Sequence, residues 1–410
     1  MLSRFSELTR FVLFSMMVGF CISAEYSITR PASHSIFLSV FTTQGLPMVW
    51  LFTIPFNLLL VSCYNWLLPK FGPLKITLSI ISLVAAINFL TPFLLPKFPN
   101  LIFFHFCWKD VYILFMFQQL WSMIHCTIPA ERAKYLYGLI FGFGTFAMTL
   151  GSLLPSLCAI KLGSEKLFFV TAPLYALLAF FYVRAFRLRG ESRPEKSMQG
   201  SVFKSFSFVA KNRLLLGILF LVAFMQISVA LIEYQFSHHL EISFPQQDLR
   251  TSFFAKILCL VHMLSLSLQI LGALYLFTKL SLRTNHIMVP LLLCLTAFGQ
   301  WLLPGFVMVC SAFILTKSID WSIFGVMREM LFTKLSIDEK FRAKAVIDIF
   351  AYRSSKAIAS LLLLSAQFYI GVAIFSLAKT IAFAILIAWL ILVLLLFRKK
   401  SEPVAIESKI

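Results

Sequence analysis

Charge is what this sequence lacks. Of its 410 residues, 13% are charged and 60% are hydrophobic. Its mean hydropathy is +0.89, whereas water-soluble domains carry about a quarter of their residues as charges. That deficit excludes an ordinary soluble fold. The chain also lacks a Gly-x-x-x-x-Gly-Lys-Ser/Thr loop, so it is not a P-loop ATPase subunit, and Gly142-Phe-Gly144 is too short to cradle phosphate. The eight cysteines include no Cys-x-x-Cys pair. Zinc sites and disulfide frameworks are therefore unsupported, and the cysteines read as small packing residues in or beside apolar runs. The seven histidines are scattered, with no His-Glu-x-x-His and no readable Ser/His/Asp set. Neither an enzyme nor a cofactor is implied.

What is present is length of apolar sequence. Runs of about 20 residues recur, enough for a helix to cross ~30 Å of hydrocarbon. Twelve are readable: Phe11–Thr29, Pro47–Leu68, Ile76–Leu95, Tyr112–Ile128, Tyr137–Ile160, Leu167–Val183, Leu214–Glu233, Phe254–Leu276, Met288–Leu303, Phe306–Phe324, Ala345–Tyr369 and Val372–Phe397. Backbone polar groups must be satisfied inside lipid, so the spans are helices. The expected fold is an all-α membrane protein.

The formal charge of +19 belongs to topology and anionic lipid rather than to nucleic acid. Positives gather in alternate loops: Arg4 and Arg10, Lys70 and Lys75, Arg132 and Lys134, Arg184 to Arg213, Lys279 and Arg283, Arg328 to Lys344, and Arg398 to Lys400. This alternation places both termini in the cytoplasm. Arg4 and Arg10 before an apolar run ending near Ile22-Ser-Ala24 imitate a secretory signal. An even span count requires that run to stay.

The longest polar interruption is Arg187–Lys211. It divides a six-helix half, residues 1–186, from a second at 213–398, with a basic central loop at 187–212 and a tail at 399–410. Six plus six around such a loop resembles the major-facilitator layout. Arg30 lies twenty residues after Arg10 and Glu233 twenty after Arg213. Twenty helical residues climb ~30 Å, which puts both charges near the outer boundary. They are candidates for a gate pair between the halves, or for charges snorkelling at helix ends.

Ionisable residues inside membrane spans are costly, about 2.5–3.5 kcal/mol at mid-bilayer, so they mark candidate sites. Lys317 falls halfway through the tenth span, with Asp320 one turn on and able to neutralise it. Arg353, Lys356 and Ser360 share a helical face in the eleventh, unless that helix starts later and leaves both cations at the surface. Gln118, Ser122 and His125, with Gln119 and Trp121 beside them, form a polar stripe in the fourth. Such a stripe serves to glue helices or to read a polar ligand. Lys317, Arg353 and Lys356 together suggest an anion site in the C-terminal half, faced by Gln118, Gln119 and His125.

These segments resemble the bacterial and plastid ATP/ADP translocase family. The resemblance is carried by Lys317-Ser-Ile-Asp-Trp-Ser-Ile-Phe324, Arg328-Glu329-Met330, Lys340 to Asp348, Arg353 and Lys356. Weaker islands are Leu120-Trp121, Ala133-Lys134-x-x-Tyr137, Ile227 to Glu233 and Tyr26-Ser-x-x-Arg30. The resemblance implies a nucleotide transporter working by alternating access in a bacterial cell membrane. The chain departs from the family where charge matters. A Lys-Asp pair is Ser33 and His34, one lysine is Trp50, a glutamate is Gln119, another lysine is Ser237, and the second lysine of span ten is Asp320. The expected solute is thus an organic anion, with a nucleotide or nucleotide-like molecule first. A less charged metabolite moved with protons, or a transport-inactive scaffold, are the alternatives.

Overall fold

The computed structural model describes residues 2–128, 130–188, 202–272, 279–332, 347, 352–370 and 374–397. The described residues are helical, in the order α1 (Leu2–Phe41), α2 (Leu46–Leu94), α3 (Leu101–Thr127), α4 (Ala130–Leu162), α5 (Leu167–Val170) and α6 (Ala172–Arg187). After the central loop come α7 (Val202–Lys211), α8 (Arg213–Ser243), α9 (Gln247–Leu271), α10 (Leu282–Leu302), α11 (Phe306–Ile319), α12 (Gly325–Phe332), α13 (Tyr352–Ile370) and α14 (Ile374–Leu396).

Ten described stretches are long and apolar enough to span a membrane. The stretch at 43–94 is two spans. Gly72 has φ 75°, a left-handed conformation that costs glycine little, and Pro69 and Pro73 flank it. Lys70 and Lys75 fall at this turn, as expected of a basic loop. The nineteen residues of α13 reach ~28 Å at 1.5 Å per residue. Ten, plus one for the divided helix, plus one for α13, gives twelve among the described residues.

Other boundaries moved. The first span runs from Glu7 to Phe41 rather than ending at Thr29. Arg30 and Glu233 are therefore not at the outer boundary. They lie eleven and ten residues short of the ends of α1 and α8, about 15 Å inside. The fourth span begins at Leu101 rather than Tyr112, which draws Lys109 and Asp110 into the membrane. Charged residues had ended the apolar run too early.

Local chemistry sets several element ends. Asn212 caps α8, its side chain accepting from the amides of Leu214 at 3.0 Å and Leu215 at 3.3 Å. Ser281 caps α10 through the Thr284 amide at 3.1 Å. Pro31 sits inside α1 directly after Arg30 and removes an amide donor there. At Gly151 of α4 a Cβ would stand 2.6 Å from the Ala24 carbonyl oxygen of α1. Only glycine permits that backbone approach.

The packing is asymmetric along the bundle. At the end where α1 and α8 finish, one hydrophobic core is shared by both halves, joining Ile36, Phe37 and Trp50 to Leu231, Tyr234 and Leu363. Toward the other end the cores separate. Phe11, Val18, Tyr112 and Tyr182 belong to one, and Leu215, Val222, Phe324 and Trp389 to the other. Most hydrogen bonds between the halves fall at the first end, although Gln269, near the far end of α9, also donates to Thr145 of α4 at 3.4 Å. The Arg250 guanidinium donates to the Ser35 carbonyl at 2.9 Å and to the Ser39 hydroxyl. Ser164 donates to Asp248 from its amide at 2.7 Å and its hydroxyl at 2.5 Å. Thr43 donates to Glu241, and Ser252 donates to the Ser156 carbonyl at 2.7 Å. The halves are fastened at one end and separately cored at the other.

Candidate functional site

Two charge triads bridge the seam between the halves. In the first, Glu233 of α8 stands between two cations. Lys317 Nζ of α11 is 2.7 Å from Glu233 Oε2, and Arg30 of α1 is 3.2 Å from Oε1. All three side chains are buried. In the second, Asp110 of α3 stands 3.5 Å from Lys109, its neighbour in sequence, and 3.9 Å from Lys356 of α13. Lys109 is fully enclosed, and the Lys356 side chain is 36% exposed. Lys109 and Lys356 lie within coulombic range of Glu233. Each triad sets one carboxylate against two cations, so each leaves one positive charge unbalanced.

Aromatic rings hold these cations from the side. Arg30 lies 5.3 Å from the Trp321 ring centroid and 5.9 Å from that of Tyr26. Lys317 is 5.8 Å from Trp321, and His262 stacks on the same ring at 5.1 Å and 8°. Lys356 lies 4.9 Å from the ring of Trp50, the position where the translocase pattern has a lysine. Lys109 lies 3.9 Å from Phe106. Such contacts favour a desolvated cation by up to about 2 kcal/mol.

Lys317 does not neutralise itself against Asp320, one turn away. The chain widens into a π turn at Asp320–Phe324, and Asp320 accepts instead from Gln226 of α8 at 2.8 Å. Lys317 is left to Glu233, two turns further along the same helix α8. π turns recur at functional sites.

The structure does not bring the fourth-span stripe to the seam. Gln118 is exposed. Gln119 donates to Tyr64 and accepts from Thr77 at 3.3 Å, within its own half. His125 is exposed and lies 2.8 Å from the Tyr137 hydroxyl. The Arg353 side chain lies outside the described residues, as do Lys340, Lys344 and Asp348. Ser33 and His34, which replace a charged pair, make neutral bonds: Ser33 to His105 at 3.4 Å, and His34 to Ser237 at 3.0 Å. Sequence reasoning missed Lys109 and Asp110. A charged pair flanked on both sides by aromatic and aliphatic residues was the available signal.

A second buried polar group fills the N-terminal half. Glu25 accepts from the hydroxyls of Tyr112 at 2.7 Å and Tyr175 at 2.6 Å, and from the Asn88 amide at 3.3 Å. Asn88 also bonds Tyr175 and stands 3.0 Å from His105. Among the described residues no group of three or more metal-ligating side chains gathers.

Comparison with known proteins agrees with this architecture. The family of TLC ATP/ADP transporters matches residues 302–399, which include Lys317, Arg353 and Lys356. No curated protein sequence matches the chain. Among solved structures it is similar to the nucleoside transporter NupG, with TM-score 0.64 and 13% identity over 96% of this chain and 99% of that one. It is similar to the POT family transporter PepTSo, with TM-score 0.64 and 13% identity over 94% and 97%. It is also similar to an auto inhibited POT family peptide transporter, with TM-score 0.66 and 11% identity over 98% and 99%. At such identities the likeness is one of fold. The chain is an all-helical multi-pass membrane protein that shares its fold with these transporters, and its residues 302–399 match the TLC transporter family.

Proposed function

We propose that this transporter carries an organic anion by alternating access and is selective for a solute of about two negative charges. A nucleoside monophosphate or a nucleotide of similar charge is the first choice. The observation that carries the reading is the pair of seam-bridging triads, with four cations held by two carboxylates. Four minus two leaves a surplus of two. A buried surplus is costly unless a partner neutralises it, and a phosphomonoester brings about −1.5 to −2. Asp320, engaged by Gln226, trims the surplus further and argues against a triphosphate.

Alternating access follows from the same contacts. Each triad joins one half to the other, through Arg30–Glu233 and Lys356–Asp110, so an anion that competes for Arg30 or Lys356 loosens the seam where the halves meet. The fastened end and the separately cored end are then one extreme of the cycle. The alternation of basic loops supports an orientation with both termini and the central loop cytoplasmic, and the resemblance to the translocase family points to a bacterial cell membrane. Cells expressing the protein should take up labelled AMP faster than ATP, and internal AMP should speed that uptake. Tight exchange of ATP for ADP with indifference to AMP overturns the charge argument.

A further inference from the structure

Glu25 is not used by the triads, and its surroundings are unlike theirs. Its carboxyl is 1% exposed, in the middle of α1. One oxygen, Oε1, accepts from Tyr112, Tyr175 and Asn88, which come from α3, α6 and α2. The other, Oε2, is enclosed and has no hydrogen-bond partner. Among the described residues, no cation lies within ion-pair distance of Glu25. A carboxylate there is a buried charge with no counterion, whereas a carboxyl there is neutral. Glu233 and Asp110, by contrast, each have two cations against them. Three donors converging on one oxygen leave the second with its lone pairs free, enclosed, and poised to take a proton.

The groups facing Glu25 from each packed element are few. From α3 come Tyr112 and, at coulombic range, Lys109. From α6 comes Tyr175, and from α2 the uncharged Asn88. Helix α4 meets α1 nearby through Gly144 and Gly151. On α1 itself the neighbouring ionisable residues are Tyr26 and Arg30. A chain of polar contacts leads away from the site, from Glu25 through Asn88 to His105 and on to Ser33 of α1. The next residue, His34, contacts Ser237, whose hydroxyl donates to the Glu233 carbonyl at 2.7 Å. The site is thus linked to the helix turn that carries the interhalf ion pair.

We propose that Glu25 is a proton-binding site and that one proton travels through it with each anionic solute. The step is an acid–base exchange. An O–H bond forms at Oε2 with a proton from water on one side of the membrane, and the same bond breaks to return that proton to water on the other. No electron changes hands. Neutralising Glu25 lifts its pull on Lys109, leaving that cation to the seam and to the solute. Co-transport of a proton also reduces the charge that an anion carries across.

The proposal rests on the reading of the chain as a secondary transporter, so its test has two arms that fail separately. In the first, purified protein in lipid nanodiscs is examined by infrared spectroscopy over a pH series. The wild type should show the carbonyl stretch of a protonated, water-free carboxyl that fades as pH rises. Glu25→Gln should lack it, Glu25→Asp should shift it, and Tyr175→Phe should move its frequency. A spectrum identical in wild type and Glu25→Gln overturns the proton site whatever the protein carries. In the second arm, proteoliposomes take up labelled AMP. An acid-outside gradient should raise wild-type accumulation several-fold, and a protonophore should abolish the gain. Glu25→Gln should lose the gradient dependence and keep AMP–AMP exchange. Gradient-driven accumulation equal to wild type in Glu25→Gln overturns the coupling. If wild-type protein exchanges no anion at all, the transport reading fails, and the infrared arm alone decides the site.

Discussion

Replacing Glu233 with glutamine isolates the charge balance at the seam. In the intact protein this carboxylate holds Lys317 at 2.7 Å and Arg30 at 3.2 Å, all three buried. Glutamine keeps the shape and removes the charge, leaving two buried cations side by side. Breaking a buried pair by removing one partner costs about 3–5 kcal/mol. Here one acid serves two bases, while Trp321 offsets part of the loss by about 1 kcal/mol at each cation. The net expectation is a loss of about 3 kcal/mol, read as a lower thermal unfolding midpoint in detergent. Two further measurements make the reasoning specific. A double variant, Glu233→Gln with Lys317→Gln, should recover part of the loss, because it removes one unpaired cation. Added AMP should raise the midpoint of the single variant more than that of the wild type, since the cations freed from Glu233 become available to it. If Glu233→Gln is as stable as wild type, and AMP protects it no better than salt of equal ionic strength, the argument from unbalanced buried charge is refuted.

Other outcomes are expected from the same geometry. Arg30→Glu and Glu233→Arg alone should each impair transport, and the double exchange should restore part of it. Normal transport by both single variants would reduce the pair to a structural contact. Lys356→Gln should raise the half-saturating concentration for AMP several-fold with unchanged amounts of protein in the membrane, because Lys356 is the cation of the second triad open to water. Trp50→Lys should set a second cation beside Lys356 and shift preference toward ADP and ATP in competition assays. At the fastened end, burial first and then Asp248 push the Glu165 carboxyl above its ordinary value. The folded state therefore resists ionising it, and that penalty is absent in acid, sets in as pH rises past the ordinary carboxylate value, and is complete above the raised one. Glu165→Gln should raise the unfolding midpoint slightly at neutral pH and not in acid, a fraction of a kcal/mol given how exposed the group is. A cysteine placed at Ser201, in a background lacking the exposed Cys63 and Cys126, should resist impermeant reagents in intact cells. Ready labelling would overturn the cytoplasmic assignment of the central loop.

The sequence by itself determined the membrane, the helices and the neighbourhood of the site. Apolar runs of bilayer length permit few folds, because lipid offers no partner to a backbone amide. Lys317 and Lys356 stood out because each is costly where the hydropathy pattern puts it, and Arg30 and Glu233 because each lies twenty residues after a basic residue at the start of its span. Only the tertiary structure decided which of these charges meet. Lys317 had a neighbour in sequence, Asp320, and takes a partner 84 residues away, because α8 presents Glu233 to Lys317 and, two turns earlier, Gln226 to Asp320. Lys109 and Asp110 read as a helix boundary, since a charged pair ends an apolar run in any hydropathy count. Their burial rests on Lys356 and Phe106, which belong to other turns and another half of the fold. Glu25 was invisible for the complementary reason. What makes it unusual is the absence of a cation and the meeting of three donors from three helices, and no spacing along one chain records where separate helices converge.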